Sequence, residues 1–149
     1  MTGTVARDRP FTSAEEVHRL VAAFMDQSLP HVRWTHRAHL TVALWYTTHH
    51  PPEHALELMR EGIHRLNAAH GLVPTPTRGY HETITRLYMR LVTRFVREEL
   101  LPSDWADRAN LLFERYGARD LPLRYYSRAL LMSPAARAGW VPPDLAPLP

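Results

Sequence analysis

Two histidines three residues apart, His36 and His39, stand in the stretch Trp34-Thr35-His36-Arg37-Ala38-His39, and the apolar run Leu40 to Tyr46 follows at once. On a helix, residues at this spacing share a face with Cβ atoms about 5–6 Å apart, a bite that lets two imidazoles reach one ion. The pair therefore reads as half of a metal site. His is the commonest protein metal ligand and the usual acid/base group near neutral pH, and the chain holds ten of them. Cysteine is absent, which excludes disulfides, thiolate metal sites and Cys nucleophiles. Lysine is absent too: all 18 basic residues are arginine, so Schiff-base chemistry and a lysine base are excluded. No Gly-rich phosphate loop, G-x-S-x-G or H-E-x-x-H occurs.

The elements that must carry these histidines read as helices. Ser13-Ala14-Glu15-Glu16 is a capping-box pattern, and Val17, Leu20, Val21, Phe24 and Met25 recur at helical spacing, predicting a first helix to about Gln27. Thr35 caps a second helix that runs to about Thr48, and Pro51-Pro52 stops it. Its apolar residues point in nearly every direction, which suits a central helix packed on several sides. A third helix opens at Pro52 and ends at Gly71, with His70 in its last turn on the apolar face and His64 on the polar one.

Leu72 to Tyr80, with Pro74, Pro76 and Gly79, is a loop. The fourth helix spans about His81 to Leu100, with Ile84, Tyr88, Leu91, Val92 and Phe95 on one face and Arg86, Arg90, Arg94 and Arg97 on the other. Pro102-Ser103-Asp104 ends it and caps a fifth helix, to about Tyr116. A short helix follows Ser133-Pro134. No segment reads as a strand. The expectation is an all-α protein, an antiparallel up-and-down bundle of four to five helices in a single domain over residues 1–149, with a loose arm at 1–11 and an extended proline-rich tail at 140–149.

In such a bundle His36 and His39 open the second helix, His70 closes the third and His81 opens the fourth, so all four fall at one end. The predicted metal ligands are His36, His39 and His81, with His70 as the next candidate, and the expected cofactor is one divalent transition metal, Zn²⁺ or Fe²⁺. Glu82 points about 100° from His81 toward the arginine face and is a candidate acid/base or orienting group, with Tyr80 and Tyr88 as further catalytic candidates. The fifth helix should return the chain to this end, placing Arg124 and Tyr125 at the mouth to hold an anionic substrate, with Arg78 as competitor or clamp partner. The alternative is a hydrogen-bonded His/Thr/Tyr network plugging the bundle end, with Thr85 and Tyr88 as partners. His49, His50 and His54 lie at the far end and read as solvated loop before a second site.

Trp34-Thr35-His36 with Ala38-His39-Leu40, Ala43-Leu44-Trp45-Tyr46, Gly79-Tyr80-His81-Glu82-Thr83 and Leu121-Pro122-Leu123-Arg124-Tyr125-Tyr126-Ser127 resembles a group of small bacterial proteins from which no activity carries over. The all-α pattern with clustered histidines is also similar to HD-domain phosphohydrolases, though no His-Asp dyad occurs. It is similar as well to the DinB-like bundles that hold a metal with three histidines, though the ligand spacing differs.

The function expected from the residues is a metal-dependent enzyme acting on a small polar or anionic substrate, by hydrolysis or elimination before Fe-dependent oxidation. A metal-free small-ligand-binding module is the alternative and a nucleic-acid-binding protein the third. The +3 net charge is modest, and the arginine stripe lacks interleaved aromatics, so nucleic acid is not the expected partner. A homo-oligomer is left open. No apolar stretch approaches the roughly 20 residues a membrane helix needs, and the N-terminus has no signal-peptide apolar region, so a cytoplasmic protein is expected.

Overall fold

The computed structural model describes residues 9–149. The expected loose arm lies, over residues 1–8, outside the described residues. Its end is tied down: Phe11 N–H donates to Asn110 Oδ1 at 2.9 Å, and Asn110 Nδ2 donates back to the Phe11 carbonyl at 2.9 Å.

Among the described residues the fold is all-helical. Five longer helices, α1 (Ala14–Met25), α2 (His36–His49), α3 (Pro52–Ala69), α4 (Glu82–Glu98) and α5 (Trp105–Tyr116), are followed by two short ones, α6 (Arg128–Leu131) and α7 (Pro134–Ala138). Side-chain oxygens set most of the starts. Ser13 accepts from Glu16 N–H, Thr35 from Ala38 N–H and Asp104 from both Ala106 and Asp107 N–H, each satisfying donors that have no partner inside the helix. Proline in the first turn opens α3 and α7. At the end of α3, Gly71 takes φ +74°, the left-handed conformation that closes a helix at little cost only for glycine.

Helix α2 is central, packed against α1, α3, α4 and α5. That is the arrangement its all-round apolar surface predicts, and Leu40, Val42, Ala43, Leu44 and Tyr46 are all buried. Its buried Thr41 avoids an unsatisfied hydroxyl by donating to the Arg37 carbonyl at 2.7 Å. A second, smaller core joins Leu87 and Leu91 of α4 to Leu121, Tyr126 and Leu131 of the C-terminal segment.

That segment lies back along α4. Thr83 Oγ1 donates to the Gly139 carbonyl at 2.7 Å and accepts from Val141 N–H at 3.2 Å. Tyr126 donates its hydroxyl to the Val141 carbonyl, and Ser127 holds Asp144 through N–H and hydroxyl at 2.7 and 2.6 Å. No helix among the described residues is long and apolar enough to cross a membrane.

Candidate functional site: an arginine-lined pocket beside the expected metal centre

The four histidines expected to converge are each engaged by a different neighbour. His81 is the N-cap of α4: its Nδ1 accepts from Ile84 N–H at 3.1 Å, while Nε2–H donates to the Leu131 carbonyl at 2.7 Å. Both ring nitrogens are thereby used, and burial, its largest influence, lowers the pKa and keeps the ring neutral. His70 Nε2 is 2.7 Å from the Leu29 carbonyl and donates to it, and its ring meets His31 edge to face. His39 lies flat on Trp34, ring centroids 3.7 Å apart, and Trp34 stacks in turn on Phe24. His36 turns the other way, toward Tyr88 of α4 at 5.3 Å and Phe113 of α5 at 6.1 Å.

Among the described residues no group of three or more His, Cys, Asp or Glu side chains is arranged to hold a metal ion. His81 and His70 spend a ring nitrogen on the Leu131 and Leu29 carbonyls, while His39 and His36 are engaged with aromatic rings of different elements. Sharing one end of a bundle fixes height along the axis, not direction around it, and each imidazole found a closer carbonyl, amide or ring.

Chemistry collects instead around Glu82, one step along α4 from His81. Its carboxylate is buried, accepting from Arg60 Nε at 2.9 Å and Nη2 at 2.6 Å in a bidentate pair and from the Tyr80 hydroxyl at 2.7 Å. Arg86, one turn further along α4, stands 3.9 Å from the same carboxylate. Burial alone would raise the Glu82 pKa, but the hydrogen bonds from Arg60 and Tyr80 and the charges of Arg60 and Arg86 outweigh it and hold the group below the usual carboxylate range. Glu82 is thus an ionised anchor, with no proton to give near neutral pH. Tyr80 is no ready proton donor either: chiefly through burial its pKa is pushed up to about 12.

Around this anchor is a pocket of about 520 Å³. Arg60 and His64 of α3, Arg78 of the α3–α4 loop, Arg86 of α4 and Arg137 of α7 line it, and Tyr80, Pro74, Pro76 and Trp140 form flat walls. Arg78 is held by a tight turn in which Thr75 and Arg78 exchange backbone hydrogen bonds at 3.0 and 3.2 Å. Gly79 follows at φ +101°, a conformation other residues rarely adopt. Its carbonyl accepts from Arg137 Nη1 at 2.7 Å, so α7 is pinned to the loop, while Arg137 Nε is buried with no hydrogen-bond partner among the described residues. Arg86 rests over the Trp140 ring, 5.3 Å from its centroid, and His64 packs on Tyr80 at 4.5 Å.

Of the residues singled out from sequence, Glu82, Tyr80 and Arg78 line this pocket, whereas Tyr88, Arg124 and Tyr125 lie outside it. Tyr88 and Tyr125 pack with the C-terminal core. Exposed Arg124 and Asp120 bear on Tyr88, whose pKa is pushed up to about 12, mainly by burial. Arg124 thus stands near Tyr88, the neighbour of His36, while Arg78 lines the pocket around Glu82. Sequence reasoning missed Arg60, His64, Arg86, Arg137 and Trp140. A signal was present for three of these five residues and for their anchor: Arg60/His64 on the third helix and Glu82/Arg86 on the fourth are both four apart, so each pair forms one column on its helix.

None of the known protein families, curated proteins or solved structures compared with this chain matches it.

Proposed function

We propose that the chain binds a small anionic ligand, bearing a phosphate or carboxylate group, in the pocket around Glu82, and does so through arginine rather than through a histidine-held metal. The observation that carries this reading is the charge of the lining: four guanidinium groups, from Arg60, Arg78, Arg86 and Arg137, against the single carboxylate of Glu82. Glu82 neutralises part of Arg60 and fixes its plane, which leaves the other three as surplus positive charge in a concave, apolar-walled site. The buried Nε of Arg137 is a donor that an anionic oxygen in the pocket would satisfy. Flat faces from Tyr80 and Trp140 suit a ligand whose remainder is a ring.

The test is a titration of the untagged protein with inorganic phosphate, citrate and a phosphorylated sugar, read by calorimetry and by melting temperature. At least one of these anions should raise the melting temperature by binding the folded state. Arg78→Ala, at an exposed position, and Arg137→Ala should each weaken that binding by about tenfold or more, the scale of a lost hydrogen bond to a charged group. Equal affinity in both variants, or no anion bound by the wild type, would sink the reading. Elemental analysis of the same preparation addresses the enzyme alternative: a near-stoichiometric transition metal lost in His36→Ala would restore it.

A further inference from the structure

A groove of about 730 Å³ continues from the pocket along α4, between that helix and the start of α3. Its α4 wall carries Arg86, Arg90, Arg94 and Arg97, spaced three and four residues apart and so about 4.5–6 Å along the axis. At its floor are two apolar side chains, part-exposed Leu56 of α3 and buried Met89 of α4, and Trp140 stands where the groove meets the pocket. The counter-charges are fewer: Glu53 on the α3 side, and Glu98, which accepts from Arg94 Nε at 2.8 Å. Pro149 also lines the groove, and its backbone oxygen accepts from Arg90 Nε at 3.1 Å.

We infer that this groove is a docking surface for an acidic peptide segment of a partner protein. Charge complementarity selects an anionic occupant, and the floor selects among anions. In an extended peptide alternate side chains lie on one side about 6.5–7 Å apart, close to the pitch of the arginine row. Carboxylates can then take the guanidinium forks while the intervening apolar side chains cover Leu56 and Met89. A nucleic-acid strand would satisfy the arginines but leave that floor uncovered, and the row offers its bases no interleaved aromatics to stack on. The backbone of such a peptide meets a wall already adapted to one, in the Arg90 bond to the Pro149 carbonyl. Because α3 and α4 pack on each other and both pack on α2, the groove is preformed and docking need not order it first.

The experiment is fluorescence anisotropy with a labelled peptide of about ten residues alternating glutamate and leucine, compared with its lysine–leucine counterpart and with single-stranded oligoadenylate of similar length. The glutamate peptide should bind saturably and the lysine peptide should not. The double variant Arg90→Glu/Arg94→Glu, both exposed positions, should weaken that binding by about tenfold or more and flatten its salt dependence. Arg97→Glu, with circular dichroism confirming that the helices persist, should shift affinity in the same direction. No saturable binding of the glutamate peptide, unchanged affinity in the double variant, or tighter binding of the oligonucleotide would each overturn the inference. Neither Arg90 nor Arg94 lines the pocket around Glu82, so phosphate binding in the double variant reports on the pocket separately.

Discussion

His39 has an edge at the surface, yet its ring is enclosed against Trp34, and burial, with the neighbouring charge of His36 second, pushes its pKa down to about 3. The unfolded chain takes up this proton near pH 6.5, while the folded chain refuses it until about pH 3. The stability His39 confers is thus fully present above pH 6.5 and is lost progressively as the pH falls toward 3, by about 1.4 kcal/mol for each pH unit. His39→Phe keeps a flat ring on Trp34 and removes the titration. Urea unfolding from pH 7 to pH 4 should show a shallower acid limb in that variant, and an unchanged limb would mean the ring is not held neutral. At this scale residue types were legible from sequence, and their protonation states were not, because these depend on neighbours remote in the chain.

Helix α4 carries most of what separates expectation from outcome. Its start, its two faces and its arginine row follow from periodicity and from the loop before it. What periodicity cannot convey is that His81 turns back over its own first turn to cap it while also reaching Leu131, fifty positions on. His81→Asn keeps a capping acceptor and loses the Leu131 tie, whereas His81→Ala loses both. Thermal unfolding should accordingly rank wild type above His81→Asn above His81→Ala, with the cap worth about 1 kcal/mol. Equal losses in the two variants would show that the cap contributes nothing. The next residue, Glu82, does lie toward the arginine face, as its 100° step predicts. Its partner Arg60 comes from α3, and only packing of the two helices brings that side chain within 2.6 Å.

At the scale of the whole molecule the pocket is assembled from α3, the α3–α4 loop, the first turns of α4, and α7 with the two residues that follow it. Thr83 joins two of these pieces through Gly139 and Val141. Thr83→Val keeps the shape and breaks both hydrogen bonds, so the segment after residue 138 should lose protection in hydrogen exchange while α1 to α3 keep theirs. Anion affinity should fall with it, because Trp140 is carried by that segment. Full protection of the segment in Thr83→Val would show that the C-terminal core of Leu121, Tyr126 and Leu131 holds it without Thr83.

By itself the sequence determined the all-α class, the five long helices with most of their caps, and the centrality of α2. Each is encoded within about a turn or by the fraction of a helix surface that is apolar, and so needs no knowledge of distant partners. It also placed four histidines at one end of the bundle. Only the tertiary structure decided which neighbour each ring engages there. The axial position of a residue follows from counting, but the direction of its side chain depends on how each helix rotates to bury its apolar face, and on which carbonyl or ring then lies closest. The same rotation brought Arg60, Arg78, Arg86 and Arg137, from four separate elements, around one buried glutamate. That grouping has no local signature, because a charge on a solvated face and a charge turned into a shared pocket read alike until the helices are packed.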